Sequence, residues 1–215
     1  MDRKKFAKTI DHTLLKPDIN KDQVAKLCRE AQEYGFFSVC LPPCFVSQAK
    51  KLLDPSILVC TVVGFPLGYN HTKAKVMEAK TACDEGANEL DMVMNLTAFK
   101  SGEDERVLED IRAVVEIGTP VKVIVETCLL SKEEIVRACG LVEQAKASFI
   151  KTSTGFSHAG ADVEDIKLMK KELGDDIKIK ASGGISTLDK ALQLIEAGAR
   201  RLGTSSGVLL MKQFR

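Results

Sequence analysis

Residues 148–185 have the sequence SFIKTSTGFSHAGADVEDIKLMKKELGDDIKIKASGGI. Two apolar runs, one leading to Lys151 and one leading to Lys180, predict two short buried strands. Between them, residues 162–174 show the apolar spacing of a helix, and Gly174 stands where that helix should stop. A strand, a helix and a second strand in this order indicate a parallel βαβ unit.

The same alternation extends along the whole chain. Eight runs predict strands, with helical patterns between them: KTIDHTL, FFSVCLP, ILVCTVVGF, NELDMVMN, VKVIVET, SFIKTST, DIKIKAS and ARRLGTS. We therefore expect an α/β protein with one closed (β/α)8 TIM barrel, and residues 1–215 as a single catalytic domain. A doubly wound open sheet is the rival, but no G-x-G-x-x-G follows the first strand.

Composition and charge argue against several classes of partner. Lysine and arginine total 31 against 30 acidic residues, so the net charge of +1 gives no sign of polyanion binding. Tryptophan is absent and no basic segment is interleaved with aromatic residues, which argues against nucleic acid. No apolar segment has the length of a signal peptide core or a membrane span, so we expect a cytoplasmic protein without a membrane partner.

The cysteines and histidines give no metal-binding pattern. Seven cysteines are scattered in apolar surroundings, which is typical of reduced, buried thiols. The CLPPC segment, residues 40–44, lacks a second pair or a histidine that would complete a zinc site. The three histidines form neither H-E-x-x-H nor H-x-H, so we expect no metal site.

Four charged residues fall late in their strand runs, where a barrel opens at its C-terminal mouth. Strand alternation can direct Asp91, Glu126, Lys151 and Lys180 into that mouth. A second ammonium and partial burial both favour the neutral amine of a lysine, which is the form that attacks a carbonyl to give a Schiff base. Asp91 would then transfer protons. The plainer alternative is that these side chains only neutralise one another or reach to solvent.

Two late loops suggest a site for an anion. SGGIS follows Lys180, GTSSG ends the eighth strand run, and glycines let backbone N–H groups approach a phosphate. Barrels often bind phosphate between the loops after strands 7 and 8. Tight turns with helix caps at Ser186 and Ser206 are the simpler explanation of the same residues.

Seven segments, taken together and in this order, closely resemble those of the deoxyribose-phosphate aldolase family. The resemblance extends over residues 6–210. The segments are DHTLL (11–15), VCLPP (39–43), VVGFPLG (62–68), ELDMVMN (89–95), KTSTGF (151–156), KASGGI (180–185) and LGTSSG (202–207). The two lysine segments and LDMVMN are the specific ones. The resemblance implies a class I aldolase on a (β/α)8 barrel, acting on a phosphorylated sugar and an aldehyde without metal or cofactor.

The resemblance also implies roles for individual residues. Lys151 would form the Schiff base, Lys180 would perturb that lysine and transfer protons, and Asp91 would donate and accept protons. The family's phosphate site would be formed by Gly155, Gly183, Gly184, Ser205 and Ser206. Members of the family form dimers or tetramers, so a homo-oligomer is implied.

One position departs from the family pattern, and several residues keep no assigned role. Some relatives have a phosphate-contacting lysine after KTSTG, where this chain has Phe156. Another cation would have to replace it, or phosphate binding would be weaker. The residues to which the sequence gives no role are His12, Cys40, Lys122, Glu126 and Lys178.

Three other functions remain open at this stage. The first is a Schiff-base aldolase for a different phosphorylated sugar. The second is a phosphosugar isomerase or lyase that uses carboxylates without a covalent step. The third is a non-catalytic barrel that binds a phosphometabolite, although it would have no reason to gather Lys151, Lys180 and Asp91.

Overall fold

The eight predicted strand runs all contain strands, and these strands form one closed parallel barrel in chain order. The structure is a computed structural model that describes residues 1–214. Each strand pairs with the next, and β1 pairs with β8, which confirms the (β/α)8 prediction. The strands are β1 Ile10–Thr13, β2 Ser38–Leu41, β3 Leu58–Val63, β4 Glu89–Val93, β5 Val121–Ile124, β6 Phe149–Lys151, β7 Lys178–Ser182 and β8 Arg201–Thr204.

A helix follows every strand and covers the barrel from outside. Three short helices were not predicted from the sequence: Arg3–Ala7 before β1, Val46–Leu52 after β2 and Leu96–Lys100 after β4. The helices are α1 Arg3–Ala7, α2 Lys21–Tyr34, α3 Val46–Leu52, α4 Thr72–Asp84, α5 Leu96–Lys100, α6 Asp104–Val115, α7 Lys132–Gln144, α8 Val163–Glu172, α9 Leu188–Glu196 and α10 Gly207–Gln213. Within residues 1–214, none of these helices combines the length and the apolar composition needed to cross a bilayer.

The local end signals explain where several helices start and stop. The S-x-x-E spacing of Ser131 and Glu134 predicts a capping box, and the two residues form one at the start of α7. Gly35 ends α2 in the left-handed conformation, with a φ of 68°. At α9 the N-cap is Thr187 rather than the predicted Ser186, since the Thr187 side chain accepts from the N–H of Lys190.

Strand alternation divides the barrel into an apolar outer layer and a charged centre. On β4, Leu90 and Met92 point outward and join the hydrophobic core under the helices. Glu89 and Asp91 on the same strand are buried and lie outside that core. The charged residues are therefore concentrated inside the barrel, and the hydrophobic stabilisation comes mainly from the layer around it.

Candidate active site

Asp91 is the centre of the charged cluster inside the barrel. Its carboxylate is fully buried, and Oδ2 accepts hydrogen bonds from Lys151 Nζ and Lys180 Nζ, each at 2.7 Å. Oδ1 accepts from Lys122 Nζ at 2.9 Å. Strands β4 to β7 thus contribute one carboxylate and three ammonium groups to one space, because these residues all point inward.

A second layer of ion pairs surrounds this centre and closes the barrel between β7, β8 and β1. Asp11 lies 2.6 Å from Lys180 Nζ and 2.6 Å from Arg201, through different carboxylate oxygens. Glu89 lies 2.8 Å from Lys122 Nζ and also contacts Arg201. Since burying an unpaired charge is very costly, each of these groups depends on the others.

The electrostatics fix the protonation of the cluster. Burial alone would raise the pKa of the Asp91 carboxyl, but Lys122, Lys151 and Lys180 outweigh it and hold that pKa well below its usual value. Burial disfavours the charged form of Lys180, yet Asp11 and Asp91 raise its pKa above the usual range. At neutral pH, Asp91 is therefore a carboxylate and Lys180 is an ammonium.

Three of the predicted residues meet as expected, and several others in the cluster were missed. Asp91, Lys151 and Lys180 come together within hydrogen-bonding distance. Lys122, to which we assigned no role, is paired with Asp91 in the register of β4 and β5 and contacts its side chain. Glu89 lies two positions before Asp91 on β4, so strand alternation could have predicted that both side chains point into the barrel. Asp11 and Arg201 gave no such signal, because both lie toward the N-terminal ends of their strands, away from the mouth of the barrel.

Glu126 does not share the space with the lysines, contrary to the expectation from strand alternation. β5 ends at Ile124, and Glu126 has a left-handed backbone with a φ of 53°. Its carboxylate accepts from the Thr154 N–H at 3.2 Å and from the Thr154 hydroxyl. Among residues 1–214, no ion pair joins Glu126 to a lysine. Its carboxylate instead anchors the loop that follows Lys151.

Two further residues without an assigned role lie away from the centre. Lys178 is exposed at the start of β7, with Nζ 5.6 Å from the centre of the Phe149 ring. His12 points outward to α2, where Nε2 lies 2.8 Å from Glu30 Oε2. Burial lowers the pKa of His12. Its contact with Glu30 joins β1 to α2, and the histidine takes no part in the cluster.

Cys40 and Cys60 lie next to the cluster on paired positions of β2 and β3. Their thiols and a carboxylate oxygen of Asp91 all lie within 4.8 Å of one another, a spacing that could suit a metal ion. Lys122 Nζ, however, lies 3.4 Å from Cys60 Sγ and also contacts Asp91. Burial raises the pKa of the Cys60 thiol well above its usual value. The surrounding ammonium groups and a protonated thiol therefore disfavour a cation here.

A cavity of about 440 Å³ opens above Lys151 at the mouth of the barrel. It is lined by the five residues of the predicted phosphate site, on three segments that we call the glycine loops: residues 152–156, 183–187 and 205–206. The lining residues from that prediction are Gly155, Gly183, Gly184, Ser205 and Ser206. Within residues 1–214, the N–H groups of the first four donate no hydrogen bond to the protein.

Close packing fixes the glycine loops relative to one another. The Ser182 hydroxyl donates to the Ser153 carbonyl at 2.7 Å. A Cβ at Gly160 would lie only 2.1 Å from the Gly183 carbonyl oxygen, so only glycine fits there. Ser206 occupies the N-cap position of α10, but its side chain makes no capping bond. Within the part of the chain that the structure describes, the N–H groups of Gly155, Gly183, Gly184 and Ser205 have no acceptor in the protein.

The chain is similar in sequence to one family of aldolases over nearly its whole length. The model of the DeoC/LacD aldolase family matches residues 5–212. A deoxyribose-phosphate aldolase of Caldanaerobacter subterraneus subsp. tengcongensis is 51% identical over 216 residues, covering 98% of this chain and 94% of that protein. One from Geobacillus sp. is 52% identical over 211 residues, covering 96% and 95%.

The chain is also similar in fold to a solved structure that carries the same family name as these relatives. A deoxyribose phosphate aldolase from Aeropyrum pernix, described as a unique tetrameric structure, superposes with a TM-score of 0.90 at 33% identity. The match covers 99% of this chain and 92% of that one. The barrel and the order of its elements are therefore those of these relatives.

Proposed function

Because the chain belongs to the DeoC/LacD aldolase family, we propose that its charged cluster reversibly cleaves 2-deoxy-D-ribose 5-phosphate through a Schiff base on Lys151. The products are D-glyceraldehyde 3-phosphate and acetaldehyde. The protein is thus a carbon–carbon lyase. The observation that carries the assignment is the pair of lysines on one carboxylate oxygen, at the floor of a cavity lined by glycine loops.

Lys151 is the best placed of the three lysines to reach a substrate. It lines the cavity, whereas Lys122 and Lys180 are fully buried below it. Lys180 also holds a second carboxylate, that of Asp11, which keeps it charged. The nucleophile must be a neutral amine that can approach the C1 carbonyl, and only Lys151 meets the requirement of access.

The reaction then follows from the chemistry of an iminium ion. The Lys151 amine adds to the C1 aldehyde, and loss of water gives the iminium. Removal of the C3 hydroxyl proton breaks the C2–C3 bond, and its electron pair moves toward the iminium nitrogen to form an enamine. Glyceraldehyde 3-phosphate leaves. Protonation of the enamine at C2 and hydrolysis release acetaldehyde and restore the amine.

Asp91 and Lys180 are positioned to move the protons of this cycle. Asp91 Oδ2 contacts both lysines, so it can pass a proton between the Lys151 nitrogen and Lys180. Lys180 is an ammonium at neutral pH and can supply the proton needed at the departing hydroxyl. When Lys151 becomes an uncharged enamine, Asp91 loses one cationic neighbour and becomes a better base.

The glycine loops suit the phosphate end of the same substrate. Free N–H groups of Gly155, Gly183, Gly184 and Ser205, with the Ser206 hydroxyl, offer donors around one anion. This arrangement would place the phosphate beside the loops after β7 and β8, while C1 of the sugar reaches Lys151. The covalent step distinguishes the proposal from a carboxylate-driven isomerase, and the deoxyribose substrate distinguishes it from other phosphosugar aldolases.

Borohydride trapping tests the covalent step. The protein is incubated with low acetaldehyde, or with 2-deoxyribose 5-phosphate, then reduced, and the added mass is located by peptide mapping. We expect one adduct per chain, on Lys151. It should vanish in Lys151→Ala and persist in Lys178→Ala, which removes an exposed lysine of the neighbouring strand. Scattered labelling with intact sugar phosphate would refute the Schiff base.

The remaining features of the proposal concern the whole protein. We propose that residues 1–215 act as one catalytic domain, since the eight strands close into one barrel. We also propose a homo-oligomer, a dimer or tetramer, as the tetrameric relative from Aeropyrum pernix supports. The seven cysteines are free, which is compatible with the reducing conditions of the cytoplasm. Sedimentation analysis measures the oligomeric state directly.

A further inference from the structure

Lys16 is an unpaired cation at the edge of the substrate cavity. It lies in the segment between β1 and α2, and its side chain is exposed. It lines the same cavity as Lys151 and the glycine loops. Within residues 1–214, no carboxylate forms an ion pair with it. A lysine that is free of partners and faces a cavity is available to bind an anion.

The charge of the cavity lining supports such a role. Among the described residues that line the cavity, none is acidic, and two are basic, Lys16 and Lys151. Lys151 is held by Asp91, whose negative charge offsets it. Among residues 1–214, Lys16 is therefore the cation of the lining that has no carboxylate partner. A dianionic phosphate on the N–H groups of the glycine loops would be stabilised by this cation.

The circular order of the barrel places Lys16 on one side of the glycine loops. β6, β7, β8 and β1 are consecutive neighbours around the barrel, and the loops after β7 and β8 lie in the middle. On the β6 side, Phe156 packs edge-on against Phe65, with ring centres 5.3 Å apart, and offers no charge. Of the described basic residues that line the cavity, Lys16 on the β1 side is the one that is free to pair with a phosphate.

We propose that Lys16 binds the phosphate group of the substrate and sets the preference for phosphorylated over unphosphorylated sugars. The inference rests on the proposed function, because it assumes that a phosphate occupies the glycine loops. Lys16 is a long way along the chain from the loops after β6, β7 and β8. It approaches them because β1 and β8 pair.

Lys190 is the rival cation near these loops. It lies in the first turn of α9, and a Cβ built on Gly184 would be 3.7 Å from its Nζ. Lys190 is not among the residues that line the cavity. Its ammonium is therefore close to the loop after β7 without lining the cavity, whereas Lys16 lines it. The two lysines make opposite predictions for substitution.

Binding of inorganic phosphate separates these lysines without requiring turnover. Titration calorimetry would compare the wild-type protein with K16Q, K190Q and K178Q. The last variant removes an exposed lysine from the opposite end of the barrel. We expect K16Q to weaken phosphate binding about tenfold, as for the loss of one charge-assisted contact. K178Q should remain within about twofold of the wild type, and K16R should recover most of the affinity.

Kinetics with two substrates provide the second measurement. The ratio of kcat/KM for 2-deoxyribose 5-phosphate to that for 2-deoxyribose should fall about tenfold in K16Q, through KM rather than kcat. Unchanged phosphate affinity in K16Q, a loss in K190Q instead, or no phosphate binding by the wild type would each overturn the inference. Wild-type phosphate binding that depends on Lys16, without cleavage of the sugar phosphate, would refute the proposed function alone.

Discussion

At the scale of single residues, Lys122 is the member of the cluster whose role is easiest to isolate. It contacts Asp91 and Glu89 and is fully buried. We expect Lys122→Met to lower kcat at least about tenfold, because Asp91 loses the hydrogen bond that orients Oδ1 and the rise in its pKa favours the protonated carboxyl. The acidic limb of the pH–rate profile should move to higher pH. The free energy of unfolding should fall by about 3 kcal/mol.

Lys178→Met is the matched control for that experiment. It removes a lysine from another barrel strand, but one that is exposed and distant from Asp91. A loss of stability in Lys122→Met with an unchanged pH–rate profile would mean that Lys122 only balances charge. A shift of the profile that is absent in Lys178→Met would identify it as a positioning residue for Asp91.

The residues that sequence reasoning found and missed differ in their depth within the barrel. Lys151 and Lys180 end apolar runs, so their place near the mouth could be predicted from alternation alone. Whether Lys122 reaches the same carboxylate depends on the stagger between β4 and β5, which their sequences do not encode in any readable pattern. Glu126 was misplaced because its strand ends two residues earlier than the apolar run suggests.

At the scale of elements, the position of the loop after β7 depends on Gly160, whose backbone packs against Gly183. We expect Gly160→Ala to displace the loop after β7, since the new Cβ would overlap the Gly183 carbonyl. The KM for 2-deoxyribose 5-phosphate should rise about tenfold, as expected when about 1.4 kcal/mol of binding is lost. Trapping of acetaldehyde on Lys151 should persist. The control is Gly140→Ala in α7, where the added methyl meets no atom within 4 Å and should leave KM unchanged.

The start of α9 offers a second test at this scale. Thr187 caps the helix through its side chain, whereas Ser186 does not. We expect Thr187→Ala to lower the free energy of unfolding by about 1 kcal/mol and Ser186→Ala by only a few tenths. Urea denaturation measures both. An equal loss in the two variants would contradict the assignment of the cap.

Element boundaries show why helix starts were predicted only in part. The capping box at Ser131 has a single candidate serine before its apolar pattern, and the structure agrees with it. At α9, Ser186 and Thr187 are adjacent and both have good side chains for an N-cap, so propensity could not choose between them. In the structure the chain turns at Gly184, with a φ of 67°, and Thr187 rather than Ser186 takes the N-cap position.

At the scale of the whole molecule, the charged centre makes stability depend on pH. The carboxyls of Asp11 and Asp91 have pKa values below their ordinary 3.8 because of the surrounding cations, although burial opposes this. A lowered folded-state pKa stabilises the protein above pH 3.8, and that contribution is lost as the pH falls further. We expect unfolding free energy to decline steeply below about pH 5, by on the order of 2 kcal/mol per carboxyl.

Denaturation at a series of pH values checks this dependence. Asp11→Asn should have a shallower decline between pH 5 and pH 3 than the wild type. Asp84→Asn changes an exposed carboxyl at the end of α4 and should retain the wild-type slope. Identical slopes in the two variants would mean that the acid sensitivity arises elsewhere in the molecule.

The fold of the molecule was more predictable than its centre. Eight predicted strands alternate with helical patterns, and the composition does not change along the chain. The closed barrel is the simplest arrangement of such a sequence, and the structure has that topology. The charge network spans β1, β4, β5, β6, β7 and β8, so its partners are up to 190 positions apart in the chain. Such pairs could be expected only after the order of strands was known.

The ion pairs of Asp11 also have a consequence for how the protein is made. Arg201 lies on the last strand to leave the ribosome, while Asp11 lies on the first. A nascent chain that still lacks β8 has its interior carboxylates exposed along an open seam, without the guanidinium that both Asp11 and Glu89 require. The barrel therefore reaches charge balance only after β8 has been made, and until then the other seven strands cannot close.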